Sequence, residues 1–364
     1  MTKKRICSQQ SKRLLNKTKQ RTKMAKSGKR VTIKDLASIC GVSTATVSRV
    51  LNHIGGGYSG ETEARIRQIA DEMGYAPNPM ARSLVTRKTN LVAVLVPDIH
   101  YYFFQELFAG LEEYLNPYGY RLLLCNTHES QEQEDQFIRS LSNGLVDGMI
   151  VSTLNNSENN QLLAELHKNH FPVIALERYG EGLEGVCQFQ IDNYAAGKMA
   201  VDYLYRQGHR KIAFLKGNRN ALNAGLRYQG YLSGMEAYGL EIDEKLTRYG
   251  DYGFQQSVDA TKELLVQGGF TSLITANDMM ALGACKAILK NGYKIPEDIS
   301  VLGLDRTMLT DTHQPSIVSI DFCARDMGLV AGKCMMTMID GGSLEQKLYR
   351  QQPVFHEGKS IRNE

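Results

Sequence analysis

The 364-residue sequence contains no tryptophan and only eight prolines. No apolar run approaches the ~18 residues needed to span a bilayer. A basic N-terminus without an apolar stretch is not a secretory signal, so the chain is expected to be cytoplasmic. Seven cysteines, at 7, 40, 125, 187, 285, 323 and 334, form no C-x-x-C pair. Their odd number and apolar neighbours read as reduced core thiols, not as a disulfide framework or a metal site. Walker A, H-E-x-x-H and G-x-S-x-G sequences are all missing. Gly55, Gly57 and Gly60 satisfy G-x-G-x-x-G but follow a helix, which removes the dinucleotide context. His167 and His170 share a helix face with no third ligand in view and read as surface residues. No catalytic constellation emerges, so neither enzyme activity nor a cofactor is expected.

Residues 1–30 hold 12 Lys and Arg and no acid, whereas the remaining 334 carry 31 basic against 39 acidic residues. The overall charge of +4 therefore hides a basic end and a body of −8. Gathered basic charge favours nonspecific, salt-dependent phosphate attraction. Residues 1–30 alternatively read as a disordered, solvated extension. Met24 is a second candidate for the start.

From Val31 the pattern becomes helical. Ile33, Leu36, Ala37 and Cys40 make one apolar face, which Gly41 ends. Ser43 suits the N-cap of a second helix with Val47, Val50 and Leu51 inward. Ile66, Ile69, Ala70 and Met73 repeat the spacing in a third, ended by Gly74. Two short helices across a three-residue turn, braced by a third, make a helix-turn-helix. The outward face of the second helix is Thr44, Ala45, Thr46, Ser48 and Arg49, small or polar residues suited to contact. Asn78 followed by Pro79 starts another helix, two turns long and marginal in water by itself. After Leu91, apolar runs at 91–96, 121–125, 148–151, 172–176, 211–215, 272–275, 299–303 and 317–320 alternate with amphipathic stretches. That alternation implies parallel sheets covered on both faces. A composition break near Gly185–Asp192 suggests two sheets.

Residues 31–84, with Val96-Pro97-Asp98-Ile99, Val146-Asp147-Gly148, Asp192-Asn193 and Gly208-His209-Arg210-Lys211-Ile212-Ala213, resemble the lactose-repressor (LacI/GalR-type) family of bacterial transcriptional regulators. The resemblance implies a small all-α helix-turn-helix headpiece (31–76), a hinge helix and linker (77–90) and a two-lobed α/β effector domain with parallel sheets (91–364), like periplasmic sugar-binding proteins. Lobe 1 is expected at about 91–189 and 321–340, lobe 2 at about 190–320 and 341–364. It implies a homodimer on a palindromic operator, usually as a repressor, under control of a small-molecule effector, most often a sugar. A sugar phosphate, a purine or a phosphocarrier protein are alternatives, as is a sugar receptor without a DNA role. The DNA-contact set carried over is Thr32, Thr44, Ala45, Thr46, Ser48, Arg49, Asn52, Asn78, Arg82, Ser83 and Leu84, the last as a minor-groove wedge. The effector set is Phe103, Phe104, Glu177, Arg178, Arg227, Tyr252, Asn277, Asp278 and Asp305. Glu177 departs from the family's usual aspartate. Arg306 stands where a second acid commonly follows Asp305, which leaves room for an anionic effector.

Overall fold

The computed structural model describes residues 31–51, 56–76, 83, 86, 88–152, 160–177 and 182–362. Its contacts divide the chain into two units that meet between residues 89 and 90.

In the first unit, α1 (Ile33–Cys40), α2 (Thr44–Leu51) and α3 (Gly60–Glu72) enclose a small core. Leu36, Val47, Val50 and Ile66 are fully buried there. A capping box begins α1: Asp35 N–H donates to Thr32 Oγ1, while Thr32 N–H donates to Asp35 Oδ2 at 2.9 Å. The pair of bonds is reciprocal, each residue's side chain serving the other's backbone N–H. Gly41, at φ 68°, ends α1 in the left-handed conformation its sequence position called for. Ser43 Oγ accepts from Thr46 N–H at 3.1 Å, as an N-cap should. The far ends of α1 and α2 are closed from α3. Arg65 donates to the Cys40 carbonyl at 2.9 Å and Arg67 to the Val50 carbonyl at 3.0 Å, with Glu63 paired to Arg67.

The second unit holds two six-stranded sheets. In chain order its elements are β1 (Leu91–Val96), α4 (Phe103–Leu115), β2 (Arg121–Asn126), α5 (Gln131–Leu141), β3 (Gly148–Ser152), α6 (Asn160–Lys168), β4 (Val173–Leu176) and β5 (Cys187–Ile191). There follow α7 (Asn193–Arg206), β6 (Ile212–Lys216), α8 (Leu222–Ala237), β7 (Thr247–Tyr249), α9 (Phe254–Gln267), β8 (Ser272–Thr275), α10 (Asp278–Lys290) and β9 (Ser300–Asp305). The unit closes with α11 (Met308–Thr312), β10 (Val318–Asp321), α12 (Ala324–Ile339), β11 (Leu348–Gln351) and β12 (Val354–His356). The first sheet has the order β11-β5-β4-β3-β1-β2 and the second β12-β10-β9-β8-β6-β7. Every strand pair is parallel except β10 with β12. Central strands are buried along their whole length, as sheets covered on both faces require.

Four strands lay outside the eight apolar runs: β5, β7, β11 and β12. The region of the composition break is itself β5, whose Cys-Gln-Phe-Gln-Ile alternates between buried and half-buried positions. The expected lobe division also needs correction. Residues 348–351 pair with Gln188–Ile191 in the first sheet, so not all of 341–364 belongs with the second. The chain passes between sheets after Ile191, between β10 and α12, and between β11 and β12.

Glycines let helices approach closely in each lobe. A Cβ at Gly110 would stand 2.0 Å from the Arg325 carbonyl oxygen, and one at Gly328 2.2 Å from that of Leu107. In the second lobe, Gly197 and Gly230 play the same part, each 2.0 Å from a backbone oxygen of the facing helix. Among the described residues the cysteines are free thiols, with Cys40, Cys125, Cys187, Cys285 and Cys334 buried. No described helix is long and apolar enough to cross a membrane.

Because the obstacle at Gly110 is backbone, α4 and α12 must separate to accept a methyl group. Gly110→Ala is expected to cost about 1–3 kcal/mol, read as a lower urea midpoint. An unchanged midpoint would mean that the crossing relaxes freely.

Candidate functional site

The carboxyl ends of both sheets face one cleft, the place where open α/β sheets bind ligands. It encloses about 670 Å³, its mouth included. Phe103, Phe104, Glu177, Arg227, Tyr252, Asn277 and Asp305 from the expected set all line it.

Arg227 lies on α8 and is only 4% exposed. Its Nε donates to Asn193 Oδ1 at 2.8 Å, and Nη1 donates to the Ala276 carbonyl and to Asp305 Oδ1, the latter at 3.4 Å. The guanidinium also stands 4.5 Å from the centroid of the Phe322 ring. Asn193 in turn donates to Glu177 Oε2 at 2.8 Å, and Glu177 also accepts the Ile191 N–H. Glu177, Asn193, Arg227 and Asp305 therefore form one polar network across four elements. Burial, partly offset by Arg227, pushes the Asp305 carboxyl up to about 7.

The aromatic wall is built from both sheets. Phe103 and Phe104 meet edge to face at 5.3 Å between centroids. Tyr252, held in a left-handed backbone at φ 59°, packs edge-on to Tyr101 at 5.5 Å and donates its hydroxyl to Asn223 Oδ1 at 2.9 Å.

Two expectations change. Asp278 does not line the cleft. It lies behind the wall and accepts from Thr307 N–H at 2.6 Å and Ser319 Oγ at 2.8 Å, tying the β9 loop to β10. Asn277 does line the cleft, but its Oδ1 caps α10 by accepting from Met280 N–H at 2.8 Å. Arg306 also stands off the cleft. It borders a neighbouring depression and pairs with Asp311 at 3.7 Å and Asp321 at 3.6 Å. Arg178 falls outside the described residues. Pro97, Tyr101, Ser152, Ile191 and Asn223 were missed. Pro97 and Ser152 sit at the ends of β1 and β3, so the strand-end rule could have found them.

In the helical unit, Thr44, Ala45 and Arg49 are exposed on α2, with Thr46 and Ser48 half-buried. Thr32 is the N-cap of α1, so its hydroxyl serves the helix start. Asn52, Asn78, Arg82 and Leu84 lie outside the described residues, while Ser83 is helical.

Two family models cover the chain. Residues 32–78 match the bacterial regulatory proteins of the lacI family, and residues 89–359 match the periplasmic binding proteins and sugar binding domain of the LacI family. The chain belongs to the lacI family. This lacI-family protein is a DNA-binding transcriptional regulator. It is 31% identical to the HTH-type transcriptional regulator RegA of Clostridium saccharobutylicum, across 87% of this chain and 95% of that one. It is likewise 31% identical to a ribose operon repressor of Halalkalibacterium halodurans, across 87% and 93%. Its fold matches that of a lac repressor dimer bound to operator and an anti-inducer, with TM-score 0.80 and 23% identity over 92% of this chain and all of that one.

The raised Asp305 carboxyl has a consequence for stability. The folded regulator binds more protons than the unfolded chain between the ordinary carboxylate value, about 4, and about 7. Asp305 therefore makes stability fall as pH rises through that window. Burial raises Asp278 as well, which adds to the same slope. Asp305→Asn is expected to flatten the decline by removing its own part and easing that of Asp278, which burial first and the Asp305 charge second both raise, measured by urea unfolding from pH 4 to 8. An unchanged slope would remove Asp305 from the account.

Proposed function

We propose that this regulator is a repressor that binds a pseudo-palindromic operator as a homodimer and responds to a neutral sugar in the cleft. The observation that carries the effector reading is the balance of charge and hydrogen bonding on the cleft wall. Glu177 and Asp305 supply carboxylate oxygens, Arg227 supplies a planar fork, and Phe103, Phe104 and Tyr252 supply apolar surface. A sugar offers hydroxyl rows around an apolar face, which such a set satisfies. Glu177 balances Arg227, and Asp305, part-ionised near neutral pH, adds no positive charge, so the wall holds no surplus cation for an anion. The cation that suggested a sugar phosphate, Arg306, is engaged by Asp311 and Asp321 elsewhere. The ribose operon repressor among its relatives agrees with a sugar.

The dimer reading rests on β2. This edge strand leaves Leu123 at 38% and Leu124 at 45% exposure, apolar surface of the kind subunits cover. Two-fold symmetry in the protein then matches two half-sites in the operator. On DNA, Arg49 is placed to serve guanine or phosphate, while Ala45 offers apolar contact. The effector acts by favouring one lobe arrangement, and only the difference in its affinity for the two arrangements shifts the equilibrium.

Thermal unfolding of the full chain against D-ribose, other neutral sugars, sugar phosphates and nucleobases tests the effector class. At 100 times its Kd a ligand adds about 2.7 kcal/mol. A neutral sugar should raise the Tm, and Arg227→Lys, which loses the planar fork, should suppress that rise. A rise with sugar phosphates or nucleobases alone would replace the reading. On operator DNA, Arg49→Ala should cost about 1–3 kcal/mol of discrimination at one base position if Arg49 reads guanine. A uniform loss across sequences would assign it to phosphate.

A further inference from the structure

One carboxylate joins the lobes away from the crossovers. Glu129 follows β2 in the first lobe. It accepts the Tyr101 hydroxyl on Oε1 and, on Oε2, the side-chain amide of Asn218 from the second lobe at 2.9 Å. Tyr101 also makes the edge contact with Tyr252 of the second lobe.

Sheet order shows why the location matters. The chain crosses between lobes at the β5 and β11 edge of the first sheet and the β10 and β12 edge of the second. Glu129 follows β2, the last strand at the opposite edge, and Asn218 follows β6, beside the opposite edge of the other sheet. A rotation about the crossovers displaces residues at this end more than those beside the crossovers. A hydrogen bond between them is therefore sensitive to how far the lobes are closed.

Glu129 is also held in a costly backbone. His128 at φ 50° and Glu129 at φ 57° are consecutive left-handed residues, neither of them glycine. L side chains disfavour that conformation, so surrounding bonds must impose the turn. Glu129 N–H donates to the Pro97 carbonyl at 2.9 Å, Ser130 N–H to that of Thr127 at 2.9 Å, and His128 N–H to Asn126 Oδ1 at 3.2 Å. On the other side, Asn218 Oδ1 accepts from Asn220 N–H at 2.9 Å, which aims its amide nitrogen across the gap.

We propose that Glu129 is a closure latch and a positioning residue: it holds Tyr101 against the cleft and bonds Asn218 of the other lobe only in the closed arrangement. The latch biases the equilibrium that an effector must shift. It rests on the cleft reading above only for that consequence, because its test needs no ligand.

Hydrogen–deuterium exchange on the ligand-free full chain provides the test. Asn218→Asp keeps the oxygen that forms its own turn but sets a second carboxylate against Glu129. The peptide spanning residues 98–104, in the opposite lobe, should then exchange at least threefold faster. Glu129→Gln should exchange close to the parent, since its amide group retains an acceptor. Combining the two substitutions lets the new glutamine amide donate to the new carboxylate, so exchange should return toward the parent rate. Parent-like exchange in Asn218→Asp would overturn the latch. So would a double variant as loose as Asn218→Asp alone, because a loss unrelated to Glu129 would not be repaired. A failed sugar panel would leave these exchange results unaffected.

Discussion

A guanidinium buried to 4% exposure must be compensated on every side, and Arg227 sets that requirement for the whole cleft. Its partners come from separate elements: Asn193 at the start of α7, the Ala276 carbonyl after β8, Asp305 at the end of β9 and the Phe322 ring after β10. Removing one partner of such an arrangement leaves an unpaired buried charge, which costs far more than the pair contributes. The site is therefore pre-organised by the folding of the second lobe. Helix α8 itself is positioned by the Gly197–Gly230 crossing, where the Arg227 carbonyl is one of the atoms a larger residue would strike.

The same network joins the lobes chemically. Glu177 belongs to the loop after β4 of the first sheet, yet it holds Asn193, which orients Arg227 in the second. Movement of one lobe is thus transmitted to Arg227 in the other. At the far edge, Glu129 and Asn218 make a second bridge. One bridge is beside a crossover; the other is far from the crossovers and is made or broken by closure.

Much of this was legible in the chain. The headpiece could be read nearly to the residue because its signals are local: Gly41 demands a left-handed turn, Ser43 caps, and apolar spacing fixes the inward faces. The eight apolar runs were legible because buried parallel strands admit few polar residues. The strands β7, β11 and β12 were not, since edge positions carry little apolar signal, nor was β5, whose half-buried glutamines interrupt the apolar run. Leu122 to Leu124 gave the opposite difficulty: an apolar run that reads as core lies partly on the surface of an edge strand. At the site, Arg227 and Asp305 were recognisable from motif positions. Asp278 was misassigned because a carboxylate beside a strand end serves equally well to tie two loops from behind. Tyr101 and Glu129 were invisible, since their roles depend on contacts with the other lobe, made over 89 positions of sequence in the case of Asn218.

The central claim is that occupancy of the cleft and occupancy of operator are coupled through one lobe equilibrium. Coupling between two binding equilibria is reciprocal. The most direct measurement is the effector Kd of the full chain, free and on saturating operator, beside the operator Kd with and without saturating effector. The account predicts that the two ratios agree and differ from one. A ratio of one for both, with each ligand binding well by itself, would contradict it.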